Sequence, residues 1–238
     1  MDKVRIGIIG YGNIANTHLA FFDKGEIPDS EITAIFDTDH SKVQKAKEKY
    51  DDKIKIFDNE EEFFQCGLFD AILICTPHYY HPHYAIKGFE NNLHVLCEKP
   101  AGVYTKQVKL MNDEYDKHPN LVFSMMYNQR TNPVYSRVRE IIKSKEMGEM
   151  RRCVWIITNW FRSQRYYDSG GWRATWGQEG GGVLLNQDPH QLDLWQWICS
   201  MPKRVRAFIG FGKYHNIEVE DDVTAYVEYE NNATGVFI

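Results

Sequence analysis

From Val4 to Met125, short apolar runs alternate with longer stretches in which apolar residues return about every three or four positions. The runs Val4–Ile9, Ile32–Phe36, Ile54–Phe57, Ala71–Ile74, His94–Leu96 and Leu121–Met125 predict strands. Between them, Ile14–Phe22, Ser41–Tyr50, Glu60–Gln65, His81–Glu90 and Thr105–Tyr115 predict helices. Alternation of this kind predicts α/β architecture, a doubly wound parallel sheet covered by helices through right-handed crossovers. Beyond Phe123 the rhythm changes. A helix at Val134–Lys143, a long strand at Arg151–Trp160, an aromatic loop and a glycine run come first. A helix around Leu184–Ile198 and the strands Arg204–Gly212, Val223–Tyr229 and Thr234–Ile238 follow. Strands that meet without intervening helices predict a largely antiparallel sheet and a second, α+β domain.

The expected boundary separates residues 1–123 from 124–238. The chain stops at Gly235-Val236-Phe237-Ile238, within a strand pattern, so the second domain is expected to be incomplete. Lys plus Arg number 28 against 33 Asp plus Glu, a formal net charge of -5 that supplies no concentrated positive field for nucleic acid. Cys66, Cys75, Cys97, Cys153 and Cys199 form no CxxC pair and mostly fall in apolar runs, which suits reduced thiols in a cytoplasmic protein. The start, Met1-Asp2-Lys3-Val4-Arg5-Ile6, carries no leader pattern, and no stretch is long and apolar enough for a membrane helix.

Chemistry enters at Ile6-Gly7-Ile8-Ile9-Gly10-Tyr11-Gly12-Asn13-Ile14-Ala15, a G-x-G-x-x-A turn between the first strand and the first helix. Gly10 permits the tight turn, Gly12 admits a pyrophosphate to the backbone, and small Ala15 lets helix and strand pack closely. The N–H groups around Asn13 and Ile14 at the helix start suit phosphate oxygens. A glycine turn alone is weak, since many bind nothing; Asp37, closing the second strand, adds the carboxylate that accepts hydrogen bonds from ribose hydroxyls. Its plainer reading is a helix cap. Together these features predict a Rossmann domain. NAD is preferred over NADP, because Asp37 repels a 2′-phosphate and no Arg follows within several residues.

At Val95-Leu96-Cys97-Glu98-Lys99-Pro100 the chain resembles the Gfo/Idh/MocA family, the glucose–fructose oxidoreductase and inositol dehydrogenase group, whose hallmark is an E-K-P loop. Cys75-Thr76-Pro77-His78-Tyr79-Tyr80-His81 resembles its T-P-N-x-x-H cofactor loop, with His78 in place of Asn. The segment from Gly180-Gly181-Gly182 through Asn186, His190 and Asp193 resembles its G-G-G-x-L-x-[DN]-x-x-x-H-x-x-D signature. The motifs run in family order across nearly the whole chain. The resemblance implies an NAD-binding domain over residues 1–123 and a substrate-binding and oligomerisation domain over residues 124–238. It also implies a small sugar or polyol substrate, a homo-oligomer such as a dimer or tetramer, and a cis bond before Pro100.

Oxidising a carbinol sends a hydride to nicotinamide and a proton to a base, so a titratable group must stand beside the cofactor. Lys99 follows the carboxyl end of a parallel strand, where such sheets bind ligands; its plainer reading is a surface lysine. Asn186, His190 and Asp193 are spaced to share one helix face, provided Pro189 lies in the first turn. His190 is the second proton-transfer candidate, against the plainer reading of a core histidine. Asn186 stands where many relatives carry Asp; it orients a hydroxyl but takes no proton. Thr76, Pro77, His78 and His81 are expected to line the nicotinamide side, with Glu98, Gln129, Trp172 and Arg173 as further cofactor contacts. The spacing of His78, His81 and His83 lacks a completing ligand, so no metal is expected. Trp155 and Trp160 are expected on a strand, in packing or association. The rival readings are a non-catalytic NAD or sugar sensor, an inactive shortened form, and an enzyme that holds NAD tightly and oxidises its substrate only transiently.

Overall fold

Strands that are apolar at successive positions must be covered on both faces, and the first half of the chain is built that way. The computed structural model describes residues 3–50, 53–158 and 161–238, and the chain divides into two compact units, Met1–Met126 and Tyr127–Ile238. In the first, the elements run β1 (Val4–Ile9), α1 (Asn13–Asp23), β2 (Ser30–Phe36), α2 (His40–Tyr50), β3 (Lys55–Phe57), α3 (Glu60–Gln65), β4 (Ala71–Ile74), α4 (His81–Glu90), β5 (His94–Cys97), α5 (Thr105–Tyr115) and β6 (Phe123–Met125). The sheet has the order β3-β2-β1-β4-β5-β6 and every pairing is parallel. Side chains alternate between its faces. Ile9, Ile72 and Ile74 enter one core with Phe36, Phe63 and Phe89; Ile8, Leu73 and Ile35 enter the other with Leu19 and Val43. Each fully buried side chain of this size contributes about 1.5–3 kcal/mol.

The second unit contains α6 (Pro133–Ser144), β7 (Arg152–Trp155), α7 (Gln164–Asp168), a π-helical turn (Val183–Gln187), α8 (Pro189–Cys199), β8 (Arg204–Phe211), β9 (Glu220–Glu228) and β10 (Thr234–Phe237). Its strands lie in the order β7-β10-β9-β8. The pairs β8–β9 and β9–β10 are antiparallel and β10–β7 is parallel, so the sheet is mixed. Trp195, Ile198 and Cys199 of α8 pack with Val227, Tyr229 and Phe237. The strand expected over Arg151–Trp160 ends at Trp155; Trp160 lies outside the described residues. Trp155 is half-buried in this core and its indole N–H donates to Gln191 Oε1 at 3.1 Å, a packing role. No helix among the described residues is long and apolar enough to cross a membrane.

Candidate functional site

Register brings the first group of candidates together. Ile9 pairs with Phe36 and with Ile74, and Ile74 pairs with Cys97. The residues that follow, Gly10, Asp37, Cys75 and Glu98, therefore leave the sheet side by side at its carboxyl edge, on either side of the point where the strand order reverses between β1 and β4. That edge is where open parallel sheets take ligands.

The two glycines of the turn have different reasons to be glycine. Gly10 has φ +93°, and a Cβ there would stand 2.8 Å from Cys75 O, so the backbone itself demands it. Gly12 has an ordinary extended φ of -100° and a Cβ there would meet nothing within 4 Å among the described residues. Gly12 caps α1 without a side-chain hydrogen bond, and the first turn holds no acidic residue. The first helical bond runs from Asn16 N to Gly12 O at 3.1 Å, leaving the N–H groups of Asn13 and Ile14 outside the helix's own ladder.

Asp37 is buried, and its Oδ2 accepts from Tyr11 N at 2.7 Å while Oδ1 accepts from Asp39 N at 2.8 Å. It thus braces the glycine turn, and Asp39, which accepts from Ser41 N, serves the start of α2 instead. Each carboxylate oxygen keeps a further lone pair for a hydroxyl donor. Lys42 Nζ stands 3.5 Å from Oδ2, a cation that attention to Arg alone overlooks.

Two loops complete this edge. Thr76 Oγ1 is buried and finds no hydrogen-bond partner among the described residues, beside the Gly10 turn. Pro77 is exposed and His78 buried. His81 departs from the expected nicotinamide-side lining: it is 1% exposed, with Nδ1 2.6 Å from Pro100 O and Nε2 2.8 Å from Thr76 O. Burial pulls its pKa down, against the upward pull of the two carbonyls and Glu98. His81 ties the loop after β4 to the loop after β5. In the latter, buried Glu98 accepts from Lys99 N at 3.2 Å through Oε2, and its Oε1 lies 2.8 Å from His18 Nε2 on α1. Lys99 is half-buried and the Lys99–Pro100 bond is cis. His18 is a residue that sequence reasoning missed, because nothing local marks a helix histidine whose partner lies 80 positions away.

The second unit assembles a separate group. Asn186 sits in the π-helical turn, so it does not share the helix of His190 and Asp193 as the spacing suggested; Pro189 opens α8 only after that turn. The glycine run lets the turn approach β9. A Cβ on Gly182 would fall on Glu220 O, while Gly182 N and Leu184 N donate to the Glu220 carboxylate at 2.9 and 3.1 Å. Glu179 is 1% exposed, and its carboxylate accepts from Ala174 N and from Asn186 Nδ2. It thereby joins the Trp172–Arg173 segment to Asn186. No local pattern flags Glu179 except its place just before the glycines.

His190 meets the Tyr127 ring edge-on with centroids 6.2 Å apart. Asp193 takes a bidentate grip from Arg130, with Nε to Oδ2 at 2.7 Å. Gln129 occupies the short 3-10 turn Asn128–Thr131 beside that pair. The Arg173 guanidinium lies 4.7 Å from the Trp172 ring centroid and 4.4 Å from that of Tyr166, and donates to Tyr166 Oη at 2.7 Å. Burial, then the nearby Glu220, pushes Asp188 up to about 6. Among the described residues no group of three or more His, Cys, Asp or Glu could hold a metal ion; His83 lies 3.6 Å from Glu60.

The first unit fits a dinucleotide on its own geometry: open space over Gly12, uncapped helix N–H groups, a buried hydroxyl on Thr76 lacking a partner, and a carboxylate at the end of β2. Comparison with known proteins agrees. Over 97% of this chain there is 26% identity to D-glucoside 3-dehydrogenase of Escherichia coli, of which it spans 68%. Over 82% there is 25% identity to myo-inositol 2-dehydrogenase of Thermotoga maritima, of which it spans 54%. Among solved structures, the WlbA dehydrogenase of Chromobacterium violaceum, in complex with NADH and UDP-GlcNAcA, superposes with a TM-score of 0.90 at 27% identity, covering 100% of this chain and 67% of that one. Residues 4–126 match the oxidoreductase family with the NAD-binding Rossmann fold, and residues 135–238 match the GFO/IDH/MocA C-terminal domain. The two matches together take in most of both units, and the chain belongs to the GFO/IDH/MocA oxidoreductase family.

Proposed function

We propose that this chain is an NAD-dependent dehydrogenase acting on a carbinol of a sugar or cyclitol. One observation carries the reading: register places the Gly10–Gly12 turn, the Thr76 loop and the Lys99 loop side by side at one sheet edge, with His81 binding the last two together. A group that binds along the turn thus extends toward the loop that carries Lys99. When bound, NAD supplies the hydride acceptor.

The chain's own residues supply the rest. Backbone N–H groups of Gly12, Asn13 and Ile14 hold the pyrophosphate, Thr76 Oγ1 finds there the partner it otherwise lacks, and Asp37 accepts from the adenosine ribose. Lys99 Nζ takes the proton of the substrate hydroxyl, with His190 as the second proton-transfer group. Asn186 takes no proton. The Glu179 carboxylate accepts from Asn186 Nδ2, which turns the NH2 group toward Glu179, and the amide oxygen is the acceptor assigned here to a substrate hydroxyl. Glu98 and His18 hold the backbone of Lys99 in place.

The relatives named above act on glucosides and inositol, which supports a polyhydroxylated ring as the substrate class. Val205, Phe208 and Phe211 on the edge strand β8 are 58–66% exposed, which supports association of the chain into a homo-oligomer. Screening pyranoses, cyclitols and nucleotide sugars for NADH absorbance in the presence of NAD tests the reading. It predicts turnover with at least one polyhydroxylated ring; NAD binding with no turnover on any of them contradicts it.

A further inference from the structure

The dehydrogenase chemistry proposed above uses no thiol, yet two of the five free cysteines are in contact: Cys153 Sγ and Cys199 Sγ lie 3.4 Å apart. Cys153 is on β7, an edge strand of the second sheet, and is half-buried. Cys199 is the last residue of α8 and is buried, in the core that α8 forms with Val227, Tyr229 and Phe237. The two are 46 residues apart in sequence, so nothing local brings them together. We propose that Cys153 and Cys199 are a reversible dithiol–disulfide site, oxidised by small-molecule disulfides, which tethers the end of α8 to β7.

The geometry divides the labour. Cys153 is the less buried of the two, and Cys199 belongs to the core against which it packs. Cys199 donates to Cys153 Sγ and so lowers the Cys153 thiol below its ordinary value, against the half-burial that would raise it. In the first step the Cys153 thiolate attacks one sulfur of the small disulfide and releases the other half as a thiolate, leaving a mixed disulfide on Cys153. In the second, Cys199 gives up its proton to solvent and attacks the Cys153 sulfur, expelling the remaining half as a thiol. Two protein thiols and one small disulfide become one protein disulfide and two small thiols. The remaining cysteines differ: Cys75 and Cys97 are buried in the first unit, where burial, then Glu98, raises both, and Cys66 has no cysteine partner among the described residues. α8 also carries His190, so the tether fixes the far end of the helix that bears a proposed proton-transfer group.

The test needs no substrate. The whole chain is incubated under native conditions with oxidised glutathione, quenched with acid, denatured and assayed for free thiols, then digested with trypsin without reduction. Two of the five thiols should disappear, and the tryptic peptide beginning at Cys153 should be found joined to the peptide containing Cys199 with the loss of two hydrogens. Dithiothreitol should reverse this, and the oxidised form should melt above the reduced one. In a Cys199→Ser variant the mixed disulfide should stay on Cys153. Five thiols surviving, a glutathione adduct persisting on Cys153 in the unaltered chain, a link between two Cys153 residues of different chains, or a different linked pair would each overturn the proposal. Because the peptide map is read on the unaltered protein, a folding defect in the serine variant does not obscure the outcome.

Discussion

The contrast between Gly10 and Gly12 gives the sharpest expectation, because one glycine serves the fold and the other the cofactor. In Gly12→Ala the new methyl group meets nothing within 4 Å, and φ of -100° suits any residue. Alanine is a poorer helix cap than glycine, while the stiffer unfolded chain offsets this, so the folding change should stay within about 1 kcal/mol. The space it fills is the space assigned to the pyrophosphate. Its NAD affinity should fall at least about tenfold, which is about 1.4 kcal/mol. Gly10→Ala is different in kind. A residue at φ +93° costs about 1–2 kcal/mol for a left-handed backbone. Its methyl would also press on Cys75 O at 2.8 Å. A loss of about 2 kcal/mol or more lowers Tm by roughly 4–8 °C in a chain of this size. Calorimetric titration with NAD and thermal melting of both variants read the two effects separately. If Gly12→Ala bound NAD as the unaltered chain does, the pyrophosphate would not lie on this turn and the reasoning would fail.

The other residues make similarly separable predictions. Lys99→Ala should bind NAD normally and lose about 10²–10⁴ in kcat on a confirmed substrate, as removal of a general base does; full activity would show the proton going elsewhere. Glu179→Gln frees the Asn186 amide to turn, and Asn186→Asp sets two carboxylates against each other. Each should depress kcat, and the double exchange Glu179→Gln with Asn186→Asp should recover part of it, because an amide again faces a carboxylate. Asp188 bears on stability. Its folded pKa of about 6 exceeds the unfolded carboxylate range, so the folded state resists ionisation and loses stability as pH rises through roughly 4 to 6. Asp188→Asn should therefore raise Tm near neutral pH and change it little near pH 4, with a stabilisation of about 1–3 kcal/mol as its ceiling; equal shifts at both pH values would contradict the assignment.

The first unit was legible because its strands are apolar runs between turn residues and its motifs are contiguous. Gly10, Gly12 and Asp37 fall at strand ends that hydrophobic period alone locates within a residue or two. What could not be read depends on partners far away in the chain. His81 looks like a cofactor-loop residue until its two nitrogens are seen against Thr76 O and Pro100 O. The spacing of Asn186 and His190 predicts one shared helix because it carries no sign of the π-helical turn, whose start Glu220 holds through the backbone of Gly182 and Leu184. The parallel pairing of β10 with β7 joins segments some eighty residues apart, beyond any local signal.

A crystal structure of the chain grown with NAD tests the central claim most directly. The account predicts the pyrophosphate against the backbone N–H groups of Gly12, Asn13 and Ile14, with the nicotinamide beside Lys99 Nζ. Dinucleotide density away from that turn, or an amine directed away from the ring, would contradict it.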